Sequence, residues 1–379
     1  MSGVDSSAPR QKILFLGKRH YTNKDAWTER FGRIYRLPAQ WARAGHEVRL
    51  WLIDYHGREI VEATDGDLAV SSCPPLSLGL FVRAARALRF RPAVVVASGD
   101  CYIGGLGWLL ARLSGARFVF DVYDKYDEFA GYVRPLGWDL FGFLRRHADW
   151  RLYPSTPLAT FYRTAQSEAH DLVVANGVDE NVFRPLPMAD CRARLGLPQD
   201  AKIIGYFGSM EADRGVNDLI AAVARLREAG EPIRLLVCGR QDPATPLTRE
   251  WIDYRGLVAH ADMPAYLNAC DVLALPYRSS PFMDMGASCK IAEYLMCRRP
   301  IVSTRTPNFV GNFPRQADEL GEGVSTAGDS DDLARAISHQ LQHRLVPSVP
   351  EDMTWTTIAQ QALAFLSTPP APDARARSS

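Results

Sequence analysis

Apolar residues along this chain gather into short unbroken runs separated by amphipathic stretches. Lys12-Ile13-Leu14-Phe15-Leu16 predicts a first strand that ends at Gly17. A helix-like stretch follows and closes at Ala44-Gly45, where glycine suits a helix C-cap. Glu47–Ile53 reads as the next strand. Residues 93–97 (Ala-Val-Val-Val-Ala) are β-branched without alternation, as in a strand buried on both faces. A helix over 103–113 and a strand over 117–122 continue the rhythm. Alternating strands and helices predict a parallel α/β sheet.

The rhythm breaks near residue 180. Asn176-Gly177-Val178-Asp179 is turn-forming, and Arg184-Pro185-Leu186-Pro187 cannot continue a helix. A second α/β run then begins with a strand over Lys202–Phe207, ended by Gly208. Residues 216–230 form an amphipathic helix with apolar positions at 216, 219, 220, 223 and 226. Strands over 233–237, 271–275 and 300–303 follow, with a helix over 290–296 between the last two. A final helix covers 355–366. The expected organisation is therefore an N-terminal domain over 11–186, a second domain over 187–350, a helix over 351–367 and a disordered tail over 368–379.

Composition narrows the function classes. The chain has 379 residues, too many for one ordinary core. With 44 basic and 43 acidic residues its formal charge is +1, which gives no bulk electrostatic reason to bind nucleic acid. No run of apolar residues is long enough to span a membrane, and residues 13–16 are too short for a signal peptide. Seven scattered cysteines with no C-x-x-C predict reduced thiols in a cytoplasmic protein.

Two segments carry candidate chemistry. In the first, Met285-Gly286-Ala287-Ser288-Cys289-Lys290-Ile291-Ala292-Glu293, small residues at 286–288 are expected to open a helix. Free N–H groups and the helix dipole there make an anion site. Lys290, one turn in, opposes the dipole unless an anion is bound. Glu293 shares its helix face. The plainer alternative is an ion pair on a surface helix. In the second segment, Gly208 to Gly215, a strand ends in glycine. Arg214 then brings a fork of donors suited to phosphate oxygens. The plainer alternative is a solvated arginine in a βα loop.

Taken together and in order, these stretches resemble family 4 (group 1) glycosyltransferases. The resemblance rests on Asn176-Gly177-Val178-Asp179 with Phe183-Arg184-Pro185, on Gly208 to Gly215, and on Met263-Pro264-Ala265-Tyr266-Leu267 with Asp271 to Pro276. It also rests on Lys290 to Val302, and in the first half on Ala44-Gly45-His46-Glu47-Val48 and Phe120-Asp121-Val122-Tyr123-Asp124. It implies GT-B architecture: two Rossmann-like domains facing across a cleft, with a C-terminal helix crossing back to the N-terminal domain. The first domain would take a hydroxyl acceptor and the second a nucleoside-diphosphate sugar.

The resemblance also implies roles. Glu293 matches the second Glu of the family's E-x7-E motif, which bonds the donor ribose. Arg214 matches a diphosphate contact, and Lys290 a lysine kept in one branch. Gly208, Ser209, Asp284, Gly286, Ala287 and Ser288 would complete the donor site. Asp124, Arg214 and Lys290 would be the catalytic residues, with Gly17, His20 and Tyr123 on the acceptor side. The implied reaction is retaining, uses no cofactor, and has protein cations where other transferases use a metal ion. The chain departs from the family at Met285 in place of the first Glu, with Asp284 as the candidate substitute. It departs again at Ser209 in place of an arginine, for which Lys290 is the candidate replacement. Tyr123 stands where the family has histidine, and Gly17 is followed by Lys18-Arg19-His20.

Smaller signals stay open. His339 and His343 are four apart on a helix, and without a third ligand they read as a solvated face. Asp121, Asp124, Asp127 and Glu128 cluster after a strand end; some are candidates to face the acceptor, and most of them are expected to be solvated. Residues 80–92 hold four arginines and no acid. Arg83 and Arg86, with Phe81 and Leu88, make a candidate contact with the anionic inner face of the cell membrane; the alternative is a core-packed helix with solvated arginines. Competing functions are another GT-B enzyme, such as a nucleotide-sugar 2-epimerase, and a non-catalytic nucleotide-sugar-binding subunit.

Overall fold

The computed structural model describes residues 10–21, 24–57, 59–125, 138–164 and 170–368. Asp127, Glu128 and the tail from 369 onward lie outside the described residues. The chain forms two compact units. The first holds the chain up to Pro154, Leu158–Ala175 and Trp355 onward; the second holds Ser155–Pro157 and Asn176–Thr354.

The first unit is built on an eight-stranded sheet. Its order is Asp171–Val173, Trp150–Tyr153, Arg117–Asp121, Val94–Ser98, Lys12–Lys18, Glu47–Ile53, Leu68–Cys73 and Val61–Asp65. All neighbours pair in parallel except the last, an antiparallel edge. One face is covered by Gly32–Arg43 and Trp355–Ser367. Trp355, Ile358, Ala359, Ala362 and Leu366 share a core with Ile34, Leu37, Trp41, Leu50 and Val96. The Trp41 indole donates to the Ala359 carbonyl at 2.8 Å, so the last helix belongs to the first unit.

The second unit is a six-stranded parallel sheet ordered Ile252–Tyr254, Ile233–Cys238, Lys202–Phe207, Val272–Leu275, Ile301–Thr304, Val324–Ser325. In chain order this is 3-2-1-4-5-6, the Rossmann arrangement. Ligands of such sheets bind beyond the carboxyl ends of strands 1 and 4, where the winding reverses. The reversal here falls between Lys202–Phe207 and Val272–Leu275.

The units part at 175/176, ahead of the 186/187 boundary read from the sequence. The reason is packing after the turn. Val178 N–H donates to Met353 O at 3.0 Å, and Phe183 is buried among second-unit residues. Two further expectations are corrected. The first strand does not stop at Gly17 but runs through Lys18; Gly17 pairs with Leu52 and Ser98. A β-carbon on Gly17 would stand 2.4 Å from Ile34 Cγ2, so glycine there lets a helix approach the strand. The helix expected to open at 286–288 starts at Cys289. Residues Pro281–Met285 form a separate short helix that ends at Gly286.

Candidate active site

The two loops at the reversal point of the second sheet meet on Tyr277. The loop after Lys202–Phe207 crosses close to Ile233–Cys238: Gly208 N–H donates to Cys238 O at 2.9 Å. It then makes one 3₁₀ turn, Ala212–Arg214, and Gly215 begins the helix Val216–Glu228. Gly215 has φ +67, and a β-carbon on it would lie 1.7 Å from Pro276 O. Only glycine meets both demands. The close approach sets Arg214 over the Tyr277 ring, with its guanidinium carbon 5.9 Å from the centroid.

Tyr277 then connects Arg214 to the second loop. Its hydroxyl lies 2.9 Å from Ser288 Oγ, and Ser288 is the residue before the helix Cys289–Met296. Four carbonyls of this loop are tied. Asn308 Nδ2 donates to Met283 O, Ser155 Oγ to Met285 O, Asn312 Nδ2 to Gly286 O and Asn176 Nδ2 to Ala287 O. The N–H groups of Ala287, Ser288, Cys289 and Lys290 have no acceptor among the described residues. Peptides whose carbonyls are fixed while their N–H groups stay unpaired make a preorganised anion site.

The charges around this loop are fixed by their neighbours. Lys290 Nζ lies 3.0 Å from Glu293 Oε2, and His260 Nε2 lies 3.7 Å from Glu293 Oε1. Glu293 is 5% exposed, so the surface ion pair is not what forms. Burial works against both charges. Lys290 and His260 nevertheless hold the Glu293 carboxyl below its ordinary pKa. Glu293 in turn raises Lys290 above its ordinary value. Burial would likewise lower Arg214, but Tyr277, Tyr206, Asp213 and Glu211 outweigh it and raise its pKa. Arg214 Nε is buried with no hydrogen-bond partner. Its nearest acidic oxygens, on Glu211 and Asp213, lie 3.8 and 3.9 Å away.

Of the other second-unit residues named above, Ser209 accepts the Tyr206 hydroxyl through its carbonyl at 2.5 Å. Asp284 takes the Ser279 hydroxyl on Oδ2, while its Oδ1 is buried without a partner. His260, Tyr277, Ser155, Asn308 and Asn312 were not legible as site residues. The 308/312 spacing of four was a faint signal.

In the first unit, Asp124 accepts the Tyr21 hydroxyl at 2.5 Å, and burial raises its pKa despite that bond. Tyr21 also packs on Tyr123, with centroids 4.5 Å apart. His20 Nε2 is 3.6 Å from Asp54 Oδ1, and Arg19 bridges Asp54 and Asp25. Most of the acidic cluster at the end of the strand Arg117–Asp121 was expected to be solvated, but Asp121 is not. It is fully buried, 2.8 Å from Arg33 Nη2, and takes the Ser98 hydroxyl at 2.6 Å. In the arginine-rich segment the helix is Leu78–Phe90. Arg83 is not solvated either: it is buried, bonded to Val61 O and to Glu62, and Glu62 also pairs with Arg86. The acid missing from the segment is supplied by a neighbouring strand.

The chain is similar to known proteins. Residues 33–177 match the glycosyl transferase 4-like domain, and residues 201–343 match the glycosyl transferases group 1 model. The chain belongs to the group 1 glycosyltransferases, and its fold is GT-B. It is 28% identical over 183 residues to a D-inositol 3-phosphate glycosyltransferase of Stackebrandtia nassauensis, covering 44% of this chain and 39% of that protein. It is 23% identical over 234 residues to the lipopolysaccharide 1,2-N-acetylglucosaminetransferase of Salmonella typhimurium, covering 55% and 60%. The matches thus span less than two thirds of these relatives. Among solved structures, sucrose-phosphate synthase from Thermosynechococcus elongatus is similar, with a TM-score of 0.71 at 18% identity over 94% of this chain and 98% of that one. Anabaena HepE in complex with UDP gives 0.68 at 18%, over 94% and 99%. Among the described residues no helix is long and apolar enough to cross a membrane.

Proposed function

We propose that this protein transfers a sugar from a nucleoside-diphosphate sugar to a hydroxyl acceptor with retention of anomeric configuration. The observation that carries the reading is the Tyr277 junction, which joins a charged arginine to a row of unpaired backbone N–H groups. The diphosphate binds there. Arg214, Lys290 and the N–H groups from Ala287 to Lys290 stabilise the negative charge that grows on it as the glycosidic bond breaks. Protein cations do the work for which other transferases use a metal ion. Glu293, held ionised, receives the donor ribose. Gly208 and Ser209 let the nucleotide approach the backbone, and the Asp284 carboxylate faces the donor sugar in place of the missing glutamate.

The acceptor belongs to the first unit, near Gly17, His20, Tyr123 and Asp124. Asp124 is the carboxyl group that meets the attacking hydroxyl there. In this reading the acceptor oxygen attacks from the face that the diphosphate leaves, and no protein nucleophile is used. The same reading places the protein in the cytoplasm, touching an anionic membrane through residues 80–92. Leu76 and Leu78 are exposed beside that segment and Phe81 within it, and Arg89 and Arg91 follow.

A melting screen with UDP, GDP, ADP and dTDP tests the donor site, and a selective rise for one base is expected. Incubation of the matching nucleotide sugar with an acceptor panel, followed by NMR of the product anomer, tests retention. A product of inverted configuration, or a nucleotide sugar epimerised without acceptor, refutes the reading.

A further inference from the structure

We propose that the first unit carries a second anion site, for a phosphate monoester, in a cavity of about 550 Å³ between the helix Leu78–Phe90 and the sheet. The proposal does not rest on the donor reading, because every residue it uses lies in the first unit.

The cavity follows from strand alternation. Val48, Leu50 and Leu52 face the helices Gly32–Arg43 and Trp355–Ser367 and are buried with them. Arg49 and Trp51 therefore project from the other face of the same strand. There they meet Ser71 from the next strand and Thr64 from the edge strand beyond it. The helix roofs this face only in part, and the space left is of small-molecule size.

The lining is cationic. Arg49, Arg83 and Arg86 face one acid, Glu62, so three positive charges less one negative leave +2. Glu62 is shared between Arg83 and Arg86. Arg49 has no carboxylate partner among the described residues; its guanidinium is held over the Phe90 ring at 4.1 Å. Arg83 is 5% exposed and is fixed in the wall by Gly79 O, Val61 O and Glu62, so its charge stays beside the cavity. A dianionic phosphate matches both the charge of +2 and the bidentate geometry of arginine. The Ser71 and Thr64 hydroxyls add neutral donors on the same wall. The monoester has two sources, a soluble metabolite or a lipid headgroup.

The test compares the intact protein with Arg49→Gln and with Ala69→Glu, which sets a carboxylate at the exposed rim of the cavity. One arm titrates glycerol 3-phosphate calorimetrically. The other sediments the proteins with phosphatidylcholine vesicles containing phosphatidic acid. At least about tenfold weaker binding of glycerol 3-phosphate by both variants, with UDP affinity unchanged, identifies a soluble ligand. The same loss in the vesicle arm alone identifies a headgroup. Equal binding by all three proteins, or no binding in either arm, overturns the proposal. Ala69 is exposed, so its variant keeps the test valid if Arg49→Gln melts early.

Discussion

The Gly215 α-carbon lies against Pro276 so closely that any side chain there would drive its first atom to 1.7 Å from the Pro276 carbonyl oxygen. This contact locks the loop after one strand to the loop after another and aims Arg214 at Tyr277. Gly215→Ala has to move backbone as well as adopt a left-handed conformation. It is expected to cost about 2–4 kcal/mol, from strain plus overpacking. Urea unfolding measures this, and a variant as stable as the parent would show that the loops are not locked.

Lys290→Ala is expected to weaken nucleoside-diphosphate binding by about tenfold to a hundredfold, the worth of a charge-assisted hydrogen bond. In the proposed donor site Ser209 brings no positive charge, so Lys290 and Arg214 would share the diphosphate. Calorimetric titration with the nucleotide chosen by the melting screen decides, and unchanged affinity refutes the role of Lys290.

The Lys290–Glu293 pair also sets a pH dependence. Glu293 has a lowered pKa in the fold, so its contribution is present above the unfolded carboxylate value and lost as pH falls through the folded one. Lys290 has a raised pKa, so its contribution is complete below the unfolded lysine value and lost as pH rises through the folded one. Both contributions are therefore intact near neutrality. Melting curves of Glu293→Gln and the parent should draw together as pH is lowered into the acid range. A constant gap between them would contradict this.

Arg33→Met leaves Asp121 fully buried without its counter-ion. Removing one partner of such a pair costs about 3–5 kcal/mol. Because Ser98 still donates to Asp121, the Arg33→Met, Asp121→Asn double variant should recover much of the loss. A double-mutant cycle read by urea unfolding gives the coupling.

Asp284→Asn is expected to leave binding of the free nucleoside diphosphate alone and to weaken binding of the nucleotide sugar. The unpartnered Asp284 Oδ1 is the acceptor that a sugar hydroxyl would use. Parallel titrations with both ligands separate the two effects, and equal losses would assign Asp284 to holding its loop instead.

The sequence alone determined the central strands of each sheet. Runs such as 13–16, 93–97, 203–207 and 272–275 have no polar face to expose, so they can only be interior strands, and the amphipathic stretches between them can only cover a sheet. Short strands such as Ile252–Tyr254 and Val324–Ser325, and the interior strands Leu68–Cys73 and Trp150–Tyr153, escaped notice because so few residues carry no clear period. The family motifs named Arg214, Lys290 and Glu293 as candidates, since the spacing that marks them is local to one loop and one helix turn.

Tertiary structure decided the rest, because it depends on contacts between residues far apart in the chain. Tyr277 joins Arg214 to Ser288 across separate strand ends, and His260 reaches Glu293 from another loop. Four loop carbonyls are tied by Ser155, Asn176, Asn308 and Asn312. Arg83 looked solvated only because its partner, Glu62, lies on a different element. Burial turns a string of charges into specific pairs, and which charges are buried together is fixed only once the sheets are assembled.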